Sequence, residues 1–356
     1  MQKKLIALAI AAAFSAPAFA DTNVYGLVDA GYGSASNTTA GVKTTESGTA
    51  FSQHHTSKVG VKSTEDLSGG MKAIFQLEMG LSSNPFADTN WQNGTAIAIG
   101  KGFAPNGTIG VDRVLTAGLD FGQGTTLMAG KMSTPLRNIV YTNGATFGDN
   151  LIGNLVTMDS SLIARATAIS AAHNFGAVTG SLTLLNNTTQ KDGTTDLKHD
   201  NGFEATAVYK QDALAVAGGY RSTKNNTAAA ANEITTKDLI LGANYDLGMA
   251  QLYGQFANVK VDQSAFTTTS KKTYETLGVN VPFTPTLAGY VELSTGKNDM
   301  GGGVDPKMSA YGVGVKYDLS KATFAYGHVG SAKQDQKLTS AESKVEQYAF
   351  GLVHSF

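Results

Sequence analysis

The sequence predicts an all-β fold, a transmembrane barrel of sixteen antiparallel strands. Three observations predict it. Apolar and polar side chains alternate with a period of two along the chain, the connections sort into short and long, and the chain ends on an aromatic-striped segment. Sixteen alternating segments fall at 23–33, 54–64, 70–81, 109–121, 124–132, 163–173, 176–186, 200–210, 212–222, 237–247, 249–260, 272–283, 286–297, 307–318, 321–331 and 345–356. Each is close to the ~9–11 residues a tilted strand needs to cross a bilayer core.

Taken in order, the first twenty of the 356 residues read as an export leader. Gln2-Lys3-Lys4 is a short cationic start, Leu5 to Phe14 is an apolar run, and Ala18-Phe19-Ala20 is a small-x-small cleavage site before Asp21. The run is too short for a ~20-residue transmembrane helix. The expected organisation is a signal peptide over residues 1–20, cleaved after Ala20, and one barrel domain over 21–356. Cleavage removes two of the 27 basic side chains and none of the 28 acidic ones, leaving a formal charge of −3. There is no cysteine, so an exported chain must find its stability without disulfides. Charged residues make up 15%, below the roughly one quarter usual in soluble domains.

The stretch Ser57 to Leu81 sets the pattern. Lys58, Gly60 and Lys62 share one face and Val59 and Val61 the other; a turn over Thr64 to Gly69 follows. Met71, Ala73, Phe75, Leu77 and Met79 then share one face, with Lys72, Ile74, Gln76 and Glu78 opposite. This is a β-hairpin with one apolar and one charged face. Tight turns recur at Gly122-Gln123, Asn174-Phe175, Gln211, Gly248, Thr284-Pro285 and Ser320. The long connections, 34–53, 82–108, 133–162, 187–199, 223–236, 261–271, 298–306 and 332–344, are rich in Asn, Thr, Ser, Gly and Lys. Helix has little support: Ala228 to Ala231 is short, and Leu151 to Val156 suits one helical turn. The last segment sets Tyr348, Phe350, Leu352, His354 and Phe356 on one face, as an aromatic girdle would.

In hydrocarbon every backbone N–H and C=O must be satisfied within the protein, which only helices and closed barrels achieve. Long apolar runs are missing, so the barrel remains. A closed sheet has no free edge, and sixteen to eighteen strands leave room for water. The charged face of the hairpin then lines that water, and Val59, Val61, Phe75 and Leu77 meet lipid.

Motifs of enzymes, metal sites and nucleic-acid binders do not appear. There is no H-E-x-x-H, cysteine cluster, P-loop or G-x-S-x-G elbow. His54 and His55 are adjacent, so in a strand their rings diverge, whereas metal ligands converge. No basic-aromatic track suits a nucleic acid. The expectation is no catalytic residue, no metal and no cofactor.

Several segments resemble the trimeric general porins of Gram-negative bacteria, in particular their neisserial and betaproteobacterial branch. They are Val24-Tyr25-Gly26-Leu27-Val28-Asp29-Ala30-Gly31, the E-D-L-S-G-G-M-K-A-I-F-Q-L-E run beginning at Glu65, and Leu241-Gly242-Ala243-Asn244-Tyr245-Asp246-Leu247-Gly248. Leu277-Gly278-Val279-Asn280-Val281-Pro282-Phe283 and the ending Gly351-Leu352-Val353-His354-Ser355-Phe356 complete the set. The resemblance spans essentially the whole chain after the leader. It implies a homotrimer in the outer membrane, with short periplasmic turns and long extracellular loops. It also implies a third loop folded inward to narrow the pore, and passive diffusion of ions and small hydrophilic solutes. Outer-membrane lipid, lipopolysaccharide and the barrel-assembly machinery, engaged through the strand ending at Phe356, are the further partners it implies.

Candidate wall cations of the constriction are Lys58, Lys62, Lys72, Arg113, Lys131 and Arg165. Arg113 and Arg165 resemble the family's eyelet arginines, while Lys58 and Lys131 stand where the family has arginine. Candidate third-loop acids are Asp149 and Asp159, and Asp29 and Glu78 are further pore-facing carboxylates. Arg137 begins the third loop within reach of the lumen. Six cations against two loop acids predict a modest anion preference, because charged rings select ions by potential. Two rival readings share the barrel: a substrate-selective channel using Tyr25 and Trp91, and an adhesin or receptor working through its loops.

Overall fold

The computed structural model describes residues 20–51, 55–81, 113–144, 151–153, 162, 165–186, 190–192, 195–226, 233–263, 269–300, 305–336 and 341–356. The first strands are β1 (Ala20–Thr39), β2 (Val42–Phe51), β3 (Lys58–Asp66), β4 (Lys72–Gly80), β5 (Val114–Asp120) and β6 (Thr125–Ser133). One helix, α1 (Pro135–Gly144), follows. Then come β7 (Arg165–Asn174), β8 (Val178–Asn186), β9 (Gln190–Asp192), β10 (Thr195–Gln211), β11 (Leu214–Asn226) and β12 (Glu233–Asp246). The chain finishes with β13 (Gln251–Gln263), β14 (Thr269–Pro282), β15 (Leu287–Asp299), β16 (Lys307–Asp318), β17 (Thr323–Gln336) and β18 (Ala341–Ser355).

Neighbouring strands pair antiparallel, and β18 pairs with β1 from Leu27↔Ser355 to Thr39↔Ser343, which closes the sheet. Two staves are interrupted. β2 pairs with the upper half of β1 and β3 with its lower half; β8 and β9 both pair with β10. The eighteen segments therefore make a closed antiparallel barrel of sixteen staves. Phe356 completes the closure: its carbonyl accepts from Gly26 N at 2.9 Å, and its N–H donates to Gly26 O at 3.1 Å.

The seven tight turns expected from the sequence fall at one end of the barrel. The connection at 34–53 differs from expectation. Its described part, 34–51, is a strand extension folded back at Ala40-Gly41, whose φ values of 50° and 81° are those of a tight hairpin turn. Thr-rich β-branched sequence on both sides favours pairing over an open loop.

The two faces are inverted relative to a soluble protein. Val291, Val313, Val329 and Tyr348 lie opposite one another on four successive strands, and all are 40–53% exposed. Between them in sequence, Glu292 and Ser294 are buried inside. A band of this kind is too large an apolar surface for water and suits lipid. Tyr32 joins it, its ring centroid 5.7 Å from Phe350 and 6.5 Å from Tyr348.

Candidate functional site: a cationic pocket on the inner wall

The site begins where the wall stops and the chain turns inward. Thr134 caps α1: its hydroxyl accepts from Arg137 N at 3.4 Å and its carbonyl from Asn138 N at 3.1 Å. Pro135 occupies the first helical position, where its missing N–H costs nothing. Leu136, Ile139 and Val140 follow at helical spacing and are at most 2% exposed. They pack against Ala217, Ile240, Ala257, Val259 and Tyr274, an apolar patch on the inner face of β11 to β14. Glu204 on β10 accepts from Leu136 N at 2.9 Å, placing a carboxylate at the helix N-terminus. Gln255 on β13 donates to the carbonyls of Ile139 and Val140 at 3.1 and 2.7 Å. The helix is thus held against the inner wall by its apolar face, at its N-terminus and at its middle.

A second anchor lies further along the same loop. Ser294 donates to Gly153 O at 2.6 Å, and Ile152 N donates to Gln347 at 3.0 Å. A Cβ at Gly312 or Gly330 would lie 2.7 Å from Ile152 O, so these glycines leave the notch in which that turn sits. The described residues of the third loop at 134–144 and 151–153 lie against the inner wall, the first stretch through a helix the sequence reading missed. The helical turn expected at Leu151 to Val156 is a bend and turn over Leu151–Gly153; the rest of that span lies outside the described residues.

On its other side α1 faces a cavity of about 490 Å³ bounded by β3 to β7. Four cations line it, Lys58, Arg113, Arg137 and Arg165, with one carboxylate, Glu78. Glu78 accepts from Arg113 Nε at 2.6 Å, pairs with Lys58 Nζ at 3.2 Å and accepts from Tyr25 Oη at 3.0 Å. Gln76 donates to Tyr25 Oη at 2.7 Å. Arg137 lies over the Tyr141 ring at 4.1 Å, one helical turn on. Arg165 starts β7 opposite Ser133, and both line the cavity.

The structure thus brings together Lys58, Glu78, Arg113 and Arg165, and adds Arg137. Three expected cations lie elsewhere. Lys62 is on the inner face but nearer the turns, 5.0 Å over the Tyr25 ring. Lys72 sits at the foot of its strand, 3.3 Å from Asp66 across the tight turn, and outside the cavity. Lys131 pairs across β5–β6 with Leu115, which is 44% exposed on the outer face, so its Cβ points outward. Its neighbours Met128 and Met132 line the cavity, and those apolar lumen residues hide the alternation. Asp29 is fully buried on the inner face, accepting from Tyr326 Oη at 3.0 Å and His55 N at 2.8 Å. Asp149, Asp159 and Trp91 lie outside the described residues.

A closed barrel with an apolar outer belt, a polar inner wall and a loop folded across its lumen defines a transmembrane channel. The chain belongs to the Gram-negative porin family, whose family model matches residues 7–337. An outer membrane porin protein of Bordetella pertussis is 26% identical over 406 residues, covering 100% of both chains. Outer membrane porin protein 32 of Delftia acidovorans is 26% identical over 361 residues, covering 99% of this chain and 95% of that protein. The fold matches an anion-selective porin from Comamonas acidovorans with a TM-score of 0.73 at 22% identity, over 95% of this chain and 100% of that one. The chain is an outer-membrane porin channel, and porins are channels rather than enzymes.

Proposed function

We propose that the protein is a general diffusion porin with a modest anion preference. The observation that carries this reading is the ratio of charge in the cavity beside α1: Lys58, Arg113, Arg137 and Arg165 against Glu78. Water fills the lumen, α1 limits solute size, and the excess cations lower the energy of an anion passing them. Low-dielectric walls focus such a field, and salt screens it over a Debye length of about 10 Å at 0.1 M. The name of the Comamonas acidovorans porin is in keeping with this reading.

The finer expectations belong to the same proposal. The tight turns face the periplasm, and the signal peptide leaves after Ala20. Three copies associate through their outer faces, lipopolysaccharide surrounds the loop end, and the barrel-assembly machinery engages the strand that ends at Phe356. Purified protein in a planar bilayer gives stepwise conductance, and liposomes swell with small sugars but not large ones. Saturable, competitor-sensitive flux of one solute would replace general diffusion with a selective channel. Failure to conduct at all would sink the reading.

A further inference from the structure

Four tyrosines on the inner wall repeat one arrangement. Tyr253 on β13 lies directly opposite Gly278 on β14, which lies opposite Glu292 on β15; Tyr253 Oη donates to Glu292 at 2.7 Å. Tyr290 on β15 lies opposite Gly314 on β16, which lies opposite His328 on β17, and the Tyr290 hydroxyl bonds to His328 Nδ1. Tyr25 on β1 lies opposite Gly60 on β3, which lies opposite Glu78 on β4, and Tyr25 Oη donates to Glu78 at 3.0 Å. In each case the ring crosses one strand to bond the next.

The fourth copy straddles the seam. Tyr326 on β17 lies opposite Gly351 on β18, which lies opposite Gly31 on β1. Its hydroxyl donates to Asp29, one inward-facing step along β1, at 3.0 Å. The glycines make room for the rings. A Cβ at Gly60 would sit 2.5 Å from Tyr25 Cζ, and one at Gly351 would sit 2.8 Å from Tyr326 Oη, besides meeting Ala30 O at 2.5 Å and Gly31 Cα at 2.7 Å. At Gly278 and Gly314 it would come closer still to Tyr253 and Tyr290. On the outer face of the seam Phe356 covers Gly26 in the same way.

We propose that these four joints form one belt, from β13 across the β18–β1 seam to β4, that keeps the barrel closed and in register. A β-strand pair is otherwise tied by backbone hydrogen bonds to its immediate neighbour alone. Each joint ties strand n to strand n + 2, so the first and last strands cannot part without also breaking the Tyr326–Asp29 bond. A glycine carries no side chain to fix register by packing, and the ring laid over it supplies that contact. Consecutive joints share a strand: Tyr290 and Glu292 on β15, Tyr326 and His328 on β17, Tyr25 and Asp29 on β1.

The test follows the folded band that a stable barrel retains in unheated detergent gels, measured against temperature. Gly278→Ala, where the atoms nearest a Cβ all belong to Tyr253, lowers the midpoint by several degrees, and Tyr326→Phe lowers it by less, because the phenylalanine ring still covers its glycine. Gly327→Ala, on the same strand as Tyr326 but with its nearest neighbour at 3.8 Å, leaves it unchanged. In a double-mutant cycle, Tyr326→Phe has little further effect once Asp29→Ala, which removes the acceptor, is present. Should Gly278→Ala fail to fold, Tyr326→Phe and the cycle still decide. Equal shifts at Gly278 and Gly327, or additive effects of Tyr326→Phe and Asp29→Ala, would overturn the belt.

Discussion

The inner wall holds two ion clusters built from the same ingredients in opposite proportion. Beside the cavity, one carboxylate, Glu78, sits among four cations. Under α1, one cation, Arg221, stands in register between two carboxylates, Glu204 on β10 and Asp238 on β12. Arg221 bonds Asp238 at 2.6 Å, and the side chains are 9% and 0% exposed. In the other cluster Arg113 and Glu78 are nearly as buried, at 10% and 7%, but Lys58 is 30% exposed and the group lines an open cavity. The dry cluster is scaffold: Glu204 receives the N-terminus of α1, and Arg221 offsets the carboxylates on either side. The wet cluster supplies the field that passing ions meet. Position and charge balance decide the role: beneath α1 the charges are spent on one another and on desolvation, while an excess of cation lining the cavity acts on what enters it.

Breaking the dry cluster has the largest expected effect. Arg221→Ala leaves two buried carboxylates without their cation and costs about 3–5 kcal/mol, read as a lower urea midpoint of the folded barrel. An unchanged midpoint would remove the scaffold role. Arg137→Glu acts on the wet cluster and reverses one charge on the helix that narrows the lumen. It lowers the anion-to-cation permeability ratio by at least about twofold.

The parts of this comparison were unequally legible in the sequence. Strand parity placed Lys58 and Glu78 on the inner face, because the hairpin's other face is almost wholly apolar. Parity also placed Lys72 correctly but not its height, since alternation carries no information about distance from the turn. Lys131 escaped because Met128 and Met132 make the inner face apolar there, leaving resemblance as the only guide. The helix α1 had a readable signal in Thr134-Pro135 and the spacing of Leu136, Ile139 and Val140, outweighed by the polar residues around it. The Glu204–Arg221–Asp238 row and the Tyr–Gly joints depend on register between strands, which single-strand periodicity does not fix.

Two smaller effects sharpen the contrast. Glu78→Gln removes the only carboxylate among the cavity-lining residues and raises the anion preference, more at 0.1 M salt than at 1 M, where the Debye length falls to about 3 Å. A salt-independent change would point to altered geometry instead of potential. Lys131→Leu leaves the reversal potential where it was, since its Cβ points away from the lumen; a shift toward cations would return Lys131 to the pore.

The central claim is that the excess of cation in the wet cluster governs which ions pass. Its most direct test is the reversal potential of the wild-type channel in a planar bilayer under a potassium chloride gradient. The arrangement of Lys58, Arg113, Arg137 and Arg165 around Glu78 predicts the sign of a chloride-preferring pore. A potential of the opposite sign, showing potassium preferred, would contradict it.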